Sequence, residues 1–271
     1  MIRMSRGYSR GRSGFNGIQL LIGLAVAVFS IISFLGSQEY NPVTGQNQYI
    51  SLTAQQEIAL GLQSAPEMVR EYGGVYPDQQ VQAAIDQIGA NLVNSSVAGR
   101  VPWQFEFTVL NDSSTVNAFA LPGGPVFITT GLLNRLETED MVAGVLAHEI
   151  VHVLARHSAQ AIAKSELTNG LIGAVGVASG DAGASQTAAM IGQLVNMSYG
   201  RDAEIESDTL GVCLMINAGY DPQAMIGVMR VLEAATGGAR QPEFMSTHPS
   251  PDNRIGRIEE AISRAATDCP F

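Results

Sequence analysis

Hydrophobic positions change rhythm along this chain, and each rhythm predicts an element. Gly17 to Gly36 reads GIQLLIGLAVAVFSIISFLG, 20 residues without a charge. At about 1.5 Å of rise per residue such a run covers a hydrocarbon core of ~30 Å, so it predicts one transmembrane helix. The following stretch, 37–50, is polar and holds Asn41-Pro42 and Thr44-Gly45, which predicts a linker. Thr53-Ala54-Gln55-Gln56 has the form of a capping box, and its helix should run to about Tyr72, where Gly73-Gly74 stops it. Pro77 is placed to open a second helix, with Val81, Ala84, Ile85, Ile88 and Leu92 on one face.

Alternation then replaces the helical spacing. Trp103, Phe105, Phe107 and Val109 alternate with other residues, as in a half-buried strand. A second strand is expected near Asn117 to Leu121, a turn at Pro122-Gly123-Gly124-Pro125, and a third strand over Val126 to Thr130. Together they predict a small antiparallel sheet. Helical spacing returns from about Glu139 to His157. Residues 160–198 are rich in Ala, Gly and Ser. Lys164, Glu166, Asn169 and Asp181 cut them into apolar pieces shorter than the roughly 18 residues of a membrane span. The reading is two helices around a Gly180-Asp181-Ala182-Gly183 loop. Further helices are expected over Arg201 to Ala218, from Asp221-Pro222 to about Ala235, and from Ser250-Pro251 onward, with Ser250 as N-cap. The fold class is α+β, mainly helical, with a small sheet and one N-terminal transmembrane helix.

Charge orients that helix. Arg3, Arg6, Arg10 and Arg12 precede it, and residues 1–16 contain no acid. Positive charge is retained on the cytoplasmic side, so 1–16 should be a basic cytoplasmic tail and the remainder should be extracytoplasmic, in the periplasm. A cleaved signal peptide is the rival reading, but SFLGSQ at 33–38 is a poor cleavage site. Taking the four positive charges from the net charge of −10 leaves −14 on the rest, which argues against a nucleic-acid partner. The two cysteines, Cys213 and Cys269, are too far apart in sequence for a Cys-x-x-Cys metal site. After export they could form one disulfide; the alternative is two unrelated thiols.

The chemistry sits in His148-Glu149-Ile150-Val151-His152. Residues four apart on a helix share a face, so both imidazoles can reach one metal ion, and zinc accepts neutral histidine nitrogens. The carboxylate of Glu149, next to the first ligand, is placed to act as general base on water. Two histidines do not complete such a site. His157 is five residues beyond His152 and turned about 140° from it, which reads as a surface histidine near a helix end. Glu204 and Asp208 are again four apart; one could bind metal and the other could accept the ring N–H of a liganding histidine. Glu206 should point to solvent. Arg201 and Arg254 could pair with these carboxylates or form ordinary surface ion pairs.

Several of these stretches occur in an order that resembles a known family. Asn41-Pro42-Val43-Thr44-Gly45, Asn117-Ala118-Phe119-Ala120-Leu121-Pro122-Gly123-Gly124, the His148–His152 motif, Glu204 with Asp208, and Thr247-His248-Pro249-Ser250 are similar to the HtpX and CAAX-prenyl-protease-like zinc metallopeptidases, especially their exported, LoiP-like bacterial members. The resemblance covers residue 41 to the end and lacks the extra membrane spans of the integral-membrane relatives. It implies a gluzincin-type peptidase domain over 51–271 with one zinc ion per chain. It implies that Glu204 is the third zinc ligand and that Asp208 orients His148. Asn117, Ala118, Phe119 and Ala120 would form an edge strand that pairs with an extended substrate. His248 would lie near the metal, as an oxyanion stabiliser or as a ligand that holds the enzyme latent.

The expected function is a membrane-anchored zinc metalloendopeptidase for extended or misfolded envelope proteins. The alternatives are a chaperone-like envelope assembly factor with a latent zinc site, and a zinc hydrolase of non-peptide substrates.

Overall fold

The computed structural model describes residues 17–179, 199–235, 243–249 and 253–269. The basic tail 1–16, the Gly180–Gly183 loop and the Ser250-Pro251 helix start lie outside the described residues.

Helix α1, Gly17–Gly36, is the expected apolar run, and among the described residues it alone is long and apolar enough to cross a membrane. The segment expected as a linker is instead an antiparallel hairpin of β1 (Gln38–Asn41) and β2 (Gln46–Tyr49), turning at Gly45 with φ 70°. Two of its polar side chains, Asn41 and Gln48, are buried. The Asn41 amide donates to Leu154 O at 2.8 Å, and Gln48 donates to Ala155 O at 3.0 Å. Both acceptors are orphan carbonyls at the end of the central helix described below, so the hairpin caps that helix from outside its own sequence.

Helix α2, Ala54–Glu71, starts with the anticipated reciprocal bonds between Thr53 and Gln56. Helix α3, Gln79–Asn94, is capped by Asp78, whose carboxylate accepts from the Gln80 and Val81 amides, so Pro77 lies outside the cap and does not open the helix. The strands are β3 (Glu106–Leu110), β4 (Ala118–Ala120) and β5 (Pro125–Thr129), in the order β3-β5-β4.

The sheet is mixed, not antiparallel: β4 pairs antiparallel with β5, but β3 runs parallel to it. The loop between Leu110 and Ala118 steps over the C-terminal end of β5, so β5 later fills the gap between its two predecessors. That crossing brings the Thr115 and Asp112 carbonyls onto Gly131, where a side chain would collide with the Thr115 carbonyl. Gly131 N donates to Asp112 O at 2.8 Å.

Short helix α4, Thr130–Leu133, leads to α5, Glu139–Leu154. Every residue of α5 from Met141 to Leu154 is buried, as befits a helix at the centre of the core. It packs against α3, against α7 (Arg201–Ala218) and against α8 (Ala224–Ala235). The chain does not stay helical to His157. It breaks at Arg156, with φ 55°, and restarts as α6, His157–Ser179. Arg156 is pinned at the break by Glu57 at 2.6 Å and Glu39 at 2.9 Å, with its guanidinium 5.6 Å from the Trp103 ring centroid. Short helix α9, Glu243–Thr247, and α10, Arg254–Asp268, complete the described fold. A Cys213–Cys269 disulfide ties the end of α10 to α7.

Candidate metal centre

Four elements converge on one buried point. Helix α5 supplies His148, Glu149 and His152; α7 supplies Glu204 and Asp208; the end of α9 supplies His248; and α10 supplies Arg254. One donor atom from each of His148, His152, Glu204 and His248 falls within 4.8 Å of all the others. The two Nε2 atoms of His148 and His152 are 3.0 Å apart. His248 Nδ1 is 3.0 Å from Glu204 Oε1 and 3.3 Å from His148 Nε2. Glu204 Oε2 is 3.4 Å from His148 Nε2, and Oε1 is 3.5 Å from His152 Nε2. The i, i+4 spacing on α5 and the mid-core position of that helix account for the histidine pair.

The supporting contacts hold this set in place. Asp208 Oδ1 accepts from His148 Nδ1 at 3.0 Å, so the His148 proton sits on Nδ1 and the Nε2 lone pair points into the cluster. Arg254 grips Asp208 with Nε at 2.7 Å and Nη2 at 2.9 Å. It is 4% exposed, so the surface ion pair considered for it is not what forms. Tyr199 stacks on the His152 ring at 4.0 Å between centroids, and Phe244 stacks on His248 at 4.3 Å.

Two expectations from spacing fail here. His157 is buried, not at the surface, and its Nδ1 lies 2.9 Å from His152 Nδ1. Its Nε2 is 3.0 Å from Glu206 Oε2, and Glu206 Oε1 takes a bond from Gln46 at 3.0 Å, so Glu206 is engaged as well. The 140° estimate assumed a continuous helix; the break at Arg156 turns His157 back toward the cluster. The motif gave no sign of that break. Tyr199 and Phe244 also went unread, because each stands outside any spaced pattern.

The donor set fits a cation. Burial opposes charge on His148, but the Asp208 and Glu204 carboxylates outweigh it and push the ring up to about 9. Burial opposes charge on Glu204 too, yet the facing His248 and His148 hold its carboxyl well below the usual range. His152 is held well below its usual value by burial and by His148. Glu204 Oε2, His248 Nε2 and both Glu149 oxygens lack hydrogen-bond partners, although Arg254 Nη2 lies 3.3 Å from Glu204 Oε2 and His248 Nε2 lies 3.6 Å from Glu149 Oε1. Buried lone pairs without donors are costly, and a positive ion among them would relieve that cost. Burial pushes the Glu149 carboxyl upward.

β4 lies at the edge of its sheet and packs against α5. Thr129 N donates to Asn117 O at 3.0 Å, and Leu121 N donates to Pro125 O at 2.8 Å. Asn117, Phe119 and Leu121 therefore face β5, and alternation turns the main-chain groups of Ala118 and Ala120 away from β5, although both residues are buried. The Asn117 side chain is committed elsewhere, donating to Glu243 Oε1 at 3.1 Å and to the Tyr72 hydroxyl at 3.4 Å. The Phe119 ring stacks on Phe127.

Comparison with known proteins adds ancestry to this geometry. A family model described as "Peptidase family M48" matches residues 79–262. The "Mitochondrial metalloendopeptidase OMA1" of Schizosaccharomyces pombe is 30% identical over 85% of this chain and 70% of that protein. The "Beta-barrel assembly-enhancing protease" of Escherichia coli K12 is 32% identical over 82% of this chain and 47% of that protein. The OMA1 of Saccharomyces cerevisiae is 35% identical over 64% and 51% respectively. The chain thus spans about half the length of the bacterial relative. The resemblance carried by the short motifs holds at the level of the family, and the relatives named here are OMA1 and the assembly-enhancing protease. With a buried His-His-Glu-His cluster inside the matched region, the chain belongs to peptidase family M48 and is a metallopeptidase by descent.

Proposed function

We propose that this chain is a membrane-anchored zinc metalloendopeptidase that cleaves extended or misassembled segments of cell-envelope proteins. The observation that carries the reading is the convergence of His148 Nε2, His152 Nε2 and the Glu204 carboxylate, with the unpartnered Glu149 carboxylate beside them. His148, His152 and Glu204 are assigned as the zinc ligands. Zinc held there supplies a Lewis acid that polarises a scissile carbonyl and acidifies water.

The rest falls to the chain's own groups. Glu149 takes a proton from water and passes it on to the leaving amine; its raised affinity for a proton suits a group that must hold one briefly. Asp208, held by Arg254, keeps the His148 proton on Nδ1 and the Nε2 lone pair on the metal side. The main-chain groups of Ala118 and Ala120 that point away from β5 pair with an extended substrate once the site opens, a mode that makes little demand on side-chain sequence. The apolar α1 supports a membrane anchor, and the N-terminal arginines support a cytoplasmic N-terminus with the peptidase domain outside. The disulfide supports an oxidising compartment. The relative named for β-barrel assembly supports envelope proteins as the substrate class.

The deciding experiment compares zinc content and casein cleavage for wild type and Glu149→Gln. Zinc retained with hydrolysis lost is the expected result; unchanged hydrolysis overturns the mechanism.

A second reading, a latent assembly factor, is favoured by one observation. His248 completes the donor cluster and is wholly buried, as are Glu149 and Glu204. A site closed in this way supports a resting state in which His248 takes the substrate's place. The alternative is distinguished by whether Glu149→Gln still supports partner binding.

A further inference from the structure

Helix α6 is an unusual element for a water-facing surface. Its first residues, His157 to Ala163, are buried or half-buried in the peptidase domain. Beyond that it leaves the domain and packs along α1. The pair is antiparallel: Gly23 meets Ala174 and Ala178, while Ser30 lies against Gly170. On α1 the sheltered positions are Gln19, Gly23, Val26, Ala27, Ser30 and Phe34, one helical face, and every other residue of the helix is exposed. On α6 the facing positions are small: Gly170, Ala174 and Ala178. A side chain on Gly23 would come within 2.6 Å of Ala174 O, so the backbones approach too closely for anything but glycine there. Such close, small-residue contact is how helices associate where no hydrophobic effect drives them together.

The charges on α6 fall in register with the expected lipid boundary. Lys164 and Glu166 are its last charged residues. Glu166 and Leu167 share a cleft with Ser33, Phe34 and Ser37, at the end of α1 nearest the peptidase domain. From Leu167 to Ser179 there are no charges. Those 13 residues rise ~20 Å alongside the middle of α1, about two thirds of a hydrocarbon core. Thr168 and Asn169, exposed at the start of the stretch beside the last charges, each make a bond to the preceding turn: Thr168 Oγ1 donates to Lys164 O at 2.9 Å, and Asn169 donates to Ser165 Oγ at 3.5 Å. The face away from α1 presents Ile172, 64% exposed, and Val175, 69% exposed. They continue the apolar surface of α1.

We infer that the second half of α6, from Leu167 to Ala178, is embedded in the bilayer beside α1, so that the membrane anchor is a two-helix hairpin and not a single span. The occupant of the exposed α6 face is lipid hydrocarbon. This inference rests on the reading of α1 as a membrane helix. It differs from a second span, because α6 enters from the same side as the peptidase domain, and the chain is back at the metal centre by Tyr199.

The test uses the full chain reconstituted in phosphatidylcholine–phosphatidylglycerol vesicles. Cys213 and Cys269 are already paired, so a single added cysteine carries a nitroxide label. Labels are placed at Phe29 on α1, at Ile172 and at Val175 on α6, and at exposed Asp202 on α7 as a water control. Zinc content and helical signal confirm that each variant is folded. The expected result is that labels at Ile172 and Val175 lose collisions with a water-soluble nickel chelate and gain collisions with oxygen, to the level of the Phe29 label. Labels at Ile172 and Val175 that match Asp202, with Phe29 still in hydrocarbon, overturn the inference while the anchor stands. If Phe29 also matches Asp202, the anchor reading and the inference fall together. Ile172→Trp, read by quenching with lipids brominated on their acyl chains, asks the same question without a nitroxide: strong quenching supports embedding, and its absence beside a quenched Phe29→Trp overturns it.

Discussion

Nδ1 of His157 lies 2.9 Å from Nδ1 of His152, and the far nitrogen of His157 reaches the Glu206 carboxylate at 3.0 Å. A carboxylate, two imidazoles and the centre of the cluster thus stand in line. Glu206 fixes a proton on His157 Nε2, leaving its Nδ1 as acceptor for the His152 N–H, and this presents the His152 Nε2 lone pair to the metal. His157→Ala is expected to weaken zinc binding by about 10- to 100-fold. Competition with a chelator measures this. An unchanged affinity would show that Tyr199 stacking alone orients His152.

His248→Ala removes the fourth donor without touching the other three. Zinc should be retained and peptide hydrolysis should rise, because the position held by His248 becomes open to substrate. The check is turnover of an unstructured protein such as casein. A loss on the order of 100-fold would instead assign His248 to the oxyanion.

Cys213 and Cys269 close a loop with a sequence separation of 56. Cys269→Ser should cost about 2–4 kcal/mol through the freedom regained by the unfolded chain. Thermal unfolding with and without reductant tests it. Equal midpoints for wild type in both conditions would contradict a stabilising bond.

Burial pushes the Glu57 carboxyl up to about 7, against the pull of Arg156, from 4.5 when unburied. The folded state therefore binds this proton more tightly than the unfolded state does. Its contribution to stability is complete below about 4.5 and is lost as pH rises through about 7, a change on the order of 3 kcal/mol. Glu57→Gln should flatten that part of the stability–pH curve. Identical slopes for both proteins between about pH 5 and pH 7 would exclude Glu57 as the cause.

The parts legible in the sequence are those fixed by local spacing. His148 with His152 and Glu204 with Asp208 each lie one helical turn apart, so their shared faces follow from helix geometry alone. The capping box at Thr53 and the length of α1 are equally local. What escaped was set by contacts between distant residues. The hairpin at 38–49 looks like a linker in sequence because the two side chains that fix it, Asn41 and Gln48, bond to carbonyls more than 100 residues away. The parallel pairing of β3 with β5 depends on how a loop passes over a strand end, which alternation cannot encode. His157 was misplaced because a single residue, Arg156, leaves the helical conformation under the hold of Glu57 and Glu39. The Arg254–Asp208 bond likewise joins two helices whose approach no periodicity records.

The capping of α5 by Asn41 and Gln48 has a practical consequence for preparing this protein without α1. A version that starts at Ser37 keeps both amides on the Leu154 and Ala155 carbonyls. One that starts at Ser51, where the sequence reading begins the peptidase domain, strips them away and leaves the helix that carries His152 to fray from its C-terminal end. The point at which the chain can be cut is therefore set by two side-chain amides, and it lies before the first strand.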